Sequence, residues 1–213
     1  MVAALAALAG ILTYGDFPAD QAAVFAAVLL VPAAVFAAFK YRAAKTSWKR
    51  SMQAKVGVES ERKTRSAIRK EKPFLAAYGL RFNNRGGDLD LTLVTSGLRV
   101  AAVEIKTGFG EVRMYGNQIR AGRNLIKGDP LGQVDRQAEK LDRELGTLDV
   151  LRVVCIPGMT NRPFIEDGTL VTGPKGMIKT INRLANPVFN SDREAMAAID
   201  RLAGKCGMKR RKL

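Results

Sequence analysis

The chain has 213 residues, 35 Lys and Arg against 20 Asp and Glu, a net charge of +15, and no histidine. Without histidine there is no Ser-His-Asp triad, no Cys-His dyad, no His-based zinc site and no imidazole general base. Hydrolysis would have to rest on carboxylates, lysine, hydroxyls or a metal held by oxygen ligands, and the charge points to an anionic partner, nucleic acid or an anionic membrane face.

The charge is unevenly spread. From Met1 to Phe39 the only charged side chains are Asp16 and Asp20. Ala22 to Phe39 is an uncharged run of 18 residues rich in Ala, Val, Leu and Phe. As a helix it would extend roughly 27 Å, close to the hydrocarbon thickness of a bilayer. It is apolar on every side, unlike the one-sided stripe of a core helix. Pro32 inside the run is tolerated in membrane helices. Val2 to Tyr14, 13 residues long, reads as a short first span, a re-entrant piece or an interfacial helix. No Lys or Arg precedes it, which argues against a signal peptide.

Lys40, Arg42, Lys45, Lys49 and Arg50 follow the longer run and hold its C-terminal edge in the cytoplasm, with Trp48 as an interfacial anchor. Residues 1–50 are therefore expected to anchor the chain in a lipid bilayer, by one span or a helical hairpin, with a basic cytoplasmic collar. The expected location is a bacterial-type inner (cytoplasmic) membrane, with residues 51–205 as a domain in the cytoplasm and 206–213 as a basic tail. Cys155 and Cys206 lack metal-ligand spacing, and a reducing compartment suits them.

Residues 51–213 hold 30 positive and 18 negative side chains, a net of +12. A membrane collar alone therefore does not account for the excess charge. The pattern predicts a polar helix from about Ser51 to Glu71, stopped by Pro73. A first strand is expected near Leu80–Asn83, then a turn at Asn83–Gly87. Asp88–Val94 and Leu98–Thr107 read as a β-hairpin around Thr95-Ser96-Gly97. Gly108 to Asp129, with five glycines, reads as loop with one short strand. Pro130 opens a helix to about Leu145. Val150–Ile156 and Thr169–Thr172 read as strands. Lys175–Leu184 and Asp192–Leu202 read as amphipathic helices, the last capped at Ser191-Asp192. This order specifies an α/β fold, a mixed sheet flanked by helices.

Asp90, Glu104 and Lys106 carry the chemical interest. Glu104 and Lys106 are two apart on a strand, so they leave the same face, while Val103 and Ile105 point the other way. Asp90, on the partner strand of the hairpin, can reach Glu104. Two carboxylates beside a lysine on a half-buried sheet are costly unless they hold something. A divalent cation with oxygen ligands offsets that cost: Asp90, Glu104 and the Ile105 carbonyl would hold it. Lys106 would orient water or neutralise charge on a phosphate. An ordinary surface ion pair between Glu104 and Lys106 is the alternative. Asp88, two positions from Asp90, is the alternative ligand.

Gly86-Gly87-Asp88-Leu89-Asp90, followed by Val103-Glu104-Ile105-Lys106-Thr107, resembles the PD-(D/E)xK nuclease core. More narrowly it resembles the NERD (nuclease-related) domain. Gly57-Val58-Glu59-Ser60-Glu61 is similar to that family's helix start, with Ser60 where a second Gly is usual. Pro130-Leu131-Gly132-Gln133 is similar to its later helix start. The resemblance covers roughly residues 55–145. It implies a restriction-endonuclease-like sheet and a metal-dependent nuclease using Mg²⁺ or Mn²⁺. Asp90, Glu104 and Lys106 would be the catalytic set, Glu61 a further acid from the first helix, and Gln133 a contact to substrate or the metal's water shell. A solvated i, i+4 pair with Arg65 is the other reading of Glu61, and a surface helix residue that of Gln133.

Arg113, Arg120, Arg123 and Lys127, with Tyr115 among them, follow Lys106 and are expected to contact nucleic-acid phosphates. Three functions stay open on the sequence. One is a membrane-anchored, metal-dependent nuclease acting on DNA. Another is a membrane-tethered nucleic-acid-binding protein with the same fold and no turnover. The third is a structural membrane protein whose basic domain lies on anionic lipid.

Overall fold

The computed structural model describes residues 19–81 and 88–205, with the backbone alone at 19–30, 81 and 205. The apolar stretch at 2–14, the turn at 83–87 and the basic tail lie outside the described residues. The chain divides into two compact units, Met1–Ala54 and Lys55–Leu213.

Helix α1 (Ala19–Lys70) runs for 52 residues with Pro32 inside it. A separate helix beginning near Ser51 was expected. The reason for one long helix is local: from Ala33 to Val56 no Gly or Pro interrupts a series of good helix formers. Among the described residues no helix is long and apolar enough to cross a membrane. The membrane span expected at 22–39 is thus without structural support. Residues 22–30 of it carry no described side chains.

The second unit is built on a six-stranded mixed sheet. Its strands are β1 (Leu75–Arg81), β2 (Asp88–Val94), β3 (Val100–Ile105), β8 (Leu151–Cys155), β11 (Thr169–Thr172) and β10 (Phe164–Glu166), adjacent in that order. β1, β2 and β3 pair antiparallel, β3, β8 and β11 pair parallel, and β10 closes the edge antiparallel. β1 begins five residues before the expected start. Leu75-Ala76-Ala77-Tyr78 are weak strand formers alone, but they pair with Val94 to Leu91, and that partner decides their conformation.

Side-chain alternation divides the sheet into two cores. Val100, Ala102, Val154 and Val171 pack with helices α2 (Pro130–Leu145) and α4 (Asp192–Lys205), through Val134, Ala138, Leu141, Ala195 and Ile199. Leu91, Leu93, Ala101, Val103 and Val153 pack on the other face with Ile68 of α1 and with Met177, Ile178 and Ile181 of α3 (Met177–Leu184).

The helix ends follow local chemistry. Asp129 caps α2, its carboxylate accepting from the Gly132 N–H at 2.9 Å, with Pro130 in the first turn. Gly146 ends α2 in the left-handed region at φ 69°. At α4 the caps are reciprocal: Ser191 Oγ accepts from the Glu194 N–H, and Glu194 Oε2 accepts from the Asn190 N–H.

The expected loop at 108–129 is instead four short strands. β4 (Phe109–Gly110) pairs with β9 (Gly158–Met159), and β5 (Val112–Tyr115), β6 (Gln118–Ala121) and β7 (Asn124–Leu125) form a meander. Val112, Ile119 and Ala121 join the α2 core while the alternate residues face out. Asn161 holds the first strand from the side: its amide accepts from the Val112 N–H at 2.8 Å and donates to the Val112 carbonyl at 2.9 Å. That clamp lies 49 residues away in sequence, so the local composition does not reveal it.

Candidate active site

The register of the β2–β3 ladder sets the geometry. Its last pair is Leu91 with Val103, and one further step places Asp90 opposite Glu104. There the ladder gives way to a side chain: the Ile105 N–H donates to Asp90 Oδ2 at 2.8 Å. Glu104 and Lys106 share the α2 face of the sheet by strand alternation. Lys106 Nζ lies 2.7 Å from Glu104 Oε1 and donates to Gln133 Oε1 at 3.0 Å. The structure thus brings Asp90, Glu104, Lys106 and Gln133 together, with Ile105 between the strands. Asp90, not Asp88, stands opposite Glu104; Asp88 is exposed at the start of β2.

This is not a solvated surface pair. Glu104 is 2% exposed, and its Oε2 is buried with no hydrogen-bond partner. Burial pushes the Glu104 carboxyl above its ordinary value, and the Asp90 charge pushes it further, while Lys106 and the Gln137 amide oppose both. Asp90 is also raised, chiefly by burial, against the Ile105 N–H; Glu61 adds to the rise. Two carboxyls are thus both held above their normal range, with one ammonium, between β3 and α2, beside them.

Gln137 is the site residue that sequence reasoning missed. It is fully buried, and its Nε2 donates to the Asp88 carbonyl at 2.8 Å. It therefore ties α2 to the start of the strand that carries Asp90. The available signal was its spacing: Gln133 and Gln137 are four apart and lie on one helix face.

Glu61 forms an ion pair with Arg65 at 3.2 Å and remains well exposed, yet it lies close enough to raise Asp90. Ser60, in place of the usual Gly, is buried and hydrogen-bonds Thr107 at 3.1 Å, joining α1 to the chain just past β3.

The basic residues occupy the outer side of the meander. Arg113 and Arg120 are direct cross-strand partners, and Arg120 stacks over Tyr115 at 5.1 Å. Arg113 pairs with Glu111 at 2.7 Å. Arg123 and Lys127 are exposed beside β7. Among the described residues no hydrogen bond or ion pair links these four cations to the notch at Glu104.

Residues 56–157 match the family model of the nuclease-related domain (NERD). This stretch is similar to the nuclease-related domain family. It is consistent with a PD-(D/E)xK-like nuclease superfamily, and the match spans α1's last turns through β8, so it includes every residue of the notch. No curated protein and no solved structure matches the chain.

The nuclease-related domain's donor set suits a hard divalent cation. Asp90 and Glu104 provide oxygen ligands, and Glu104 Oε2 is a buried acceptor without a donor. Among the described residues no three His, Cys, Asp or Glu side chains gather as a metal-binding group. Backbone and water oxygens would therefore have to complete the shell, as is usual for Mg²⁺.

Proposed function

We propose that this chain is a metal-dependent nuclease that hydrolyses phosphodiester bonds, with DNA as substrate. The observation that carries the reading is the half-buried Asp90 beside the buried Glu104, with Lys106 on the same face as Glu104, within the stretch that matches the nuclease-related domain. Asp90, Glu104 and the Ile105 carbonyl would hold Mg²⁺ or Mn²⁺, which supplies charge neutralisation at the phosphate and a more acidic water. Lys106 has three donors: two reach Glu104 and Gln133, and the third is available to a phosphate oxygen. Its charge would stabilise the extra negative charge of the transition state. Gln133 holds the ammonium over the notch, and Glu61 would order water at its rim. Arg113 and Arg120, like charges facing each other across a strand pair, would be stabilised by a phosphate backbone.

Residues 1–50 are proposed to attach the protein to a bacterial-type cytoplasmic membrane, with the nuclease-related domain in the cytoplasm. The uncharged run at 22–39 and the five cations that follow it support this. Retention of the chain in carbonate-washed membranes tests it; release into the wash contradicts it.

The activity test is incubation of the purified protein with plasmid DNA in Mg²⁺ or in EDTA, beside Glu104→Ala and Lys106→Ala. Cleavage that needs Mg²⁺ and is lost in both variants is expected. Cleavage that is absent or survives both substitutions sinks the proposal. Retention of DNA without cleavage would instead identify a binding protein built on the same fold.

A further inference from the structure

The two carboxylates of the notch stand where the sheet stops holding its strands together. The β2–β3 ladder ends at Leu91 with Val103, and Asp90 and Glu104 lie one step beyond it. There the contact between the strands passes to a side chain, Asp90 Oδ2, which accepts from the Ile105 N–H. β1 holds the other edge of β2 as far as Asp88. The charge of Asp90 acts against that of Glu104, and like charges part unless something fixes their spacing.

Gln137 reaches this place from α2. Val134, Ala138 and Leu141, buried beside it on the helix, are apolar, and Gln137 is as deeply buried as they are. Its Nε2 donates to the Asp88 carbonyl at 2.8 Å, and the same amide favours the charged form of Glu104. One side chain thus engages both the strand of Asp90 and the carboxyl of Glu104. Its Oε1 is buried with no donor. A side chain kept only for packing would not leave a polar atom in that state. Gln133, one turn earlier on the same helix face, accepts from Lys106 Nζ. A single rigid helix therefore orders both the ammonium and the carboxylates.

We propose that Gln137 is a positioning residue for a divalent cation at Asp90 and Glu104: its amide ties the first residue of β2 to α2 beside Glu104 and so sets the spacing of the two carboxylates. The inference rests on the metal-dependent reading of the notch and adds the group that tunes its affinity, as the partners of metal-holding side chains do. The test is calorimetric titration of the purified protein with Mn²⁺ alone, without nucleic acid. Saturable binding is expected, weakened at least about tenfold in Glu104→Ala and about tenfold in Gln137→Met, whose side chain is unbranched and of similar length. Gln137→Leu removes the same amide and should give the same loss. Leu141→Val, buried on the same helix, removes packing alone and should leave Mn²⁺ affinity unchanged. A cooperative melt without metal shows that each variant is folded. Binding that Glu104→Ala weakens and both Gln137 variants leave unmoved overturns this inference alone. So does an equal loss in Leu141→Val, which makes Gln137 a packing residue. No saturable Mn²⁺ binding, or binding unmoved by Glu104→Ala, defeats the metal reading of the notch and this inference with it.

Discussion

The acidic notch and the basic meander follow each other directly in the chain, yet they are built on opposite plans. In the notch, charge is buried: Glu104 is 2% exposed and Lys106 is shielded to 22%. Helix α2 and three strands hold each group in place. In the meander, Arg113 is 72% exposed and its partner Glu111 is half exposed, and only the inward residues Val112, Ile119 and Ala121 are held. Charges of the first kind have fixed geometry, and there the Glu104 carboxyl is raised above its ordinary value, a combination typical of functional sites. Charges of the second kind remain adaptable and are screened by salt, as backbone binding requires.

The sharpest way to break this comparison is at Glu104 or Lys106. Replacing either by Ala should reduce phosphodiester hydrolysis on the order of 10³-fold while DNA retention changes little; gel-based cleavage and shift assays separate the two. Next in size is Gln137→Leu. It removes the Gln137 donor from the Asp88 carbonyl and should cost about 0.5–1.5 kcal/mol, read as a lowered denaturation midpoint. The paired change Arg113→Ala/Arg120→Ala should weaken DNA binding about tenfold at low salt and lower the salt-dependence slope by about two. Its cleavage rate at saturating DNA should stay near that of the parent. If that rate collapses instead, the division of labour between the regions is wrong.

The smallest effect is the pH dependence of stability. Asp90 and Glu104 are both raised above their ordinary values of 3.8 and 4.5. The folded chain therefore holds their protons more tightly than the unfolded one. Without divalent ions, their contribution to stability should be fully present below the ordinary values and be lost as pH rises through the raised ones. Adding Mn²⁺ above that range should recover the loss. A melting temperature that rises across the same range without metal would contradict the buried placement of the pair.

Particular residues show how far the sequence reached. Asp90, Glu104 and Lys106 were legible because strand alternation and hairpin register are short-range rules, and the observed register does place Asp90 opposite Glu104. The Pro130 start and Leu145 end of α2 were equally local. Gln137 was hidden because an internal Gln on a helix is ordinary until an acidic strand lies beneath it. The strands at 109–125 were hidden because their glycine-rich composition describes a loop, while β5 depends on Asn161 and β4 on β9, both from far along the chain. β1 was displaced for the same reason: Ala76 and Ala77 become strand only against Leu93 and Thr92.

By itself the sequence determined the chemical vocabulary. A chain with no histidine must rest any hydrolysis on carboxylates, lysine, hydroxyls or a metal held by oxygen ligands, and a net charge of +15 points to an anionic partner. Period-two alternation put Glu104 and Lys106 on one face. Tertiary structure alone decided which of those charges are buried. Desolvation depends on what covers a side chain, and the cover here is α2, whose Gln133 and Gln137 are 27 and 49 residues away from the groups they touch. Removing water from a carboxylate is what turns the Glu of a common Glu-x-Lys into a group that holds its proton more tightly and keeps an unfilled acceptor.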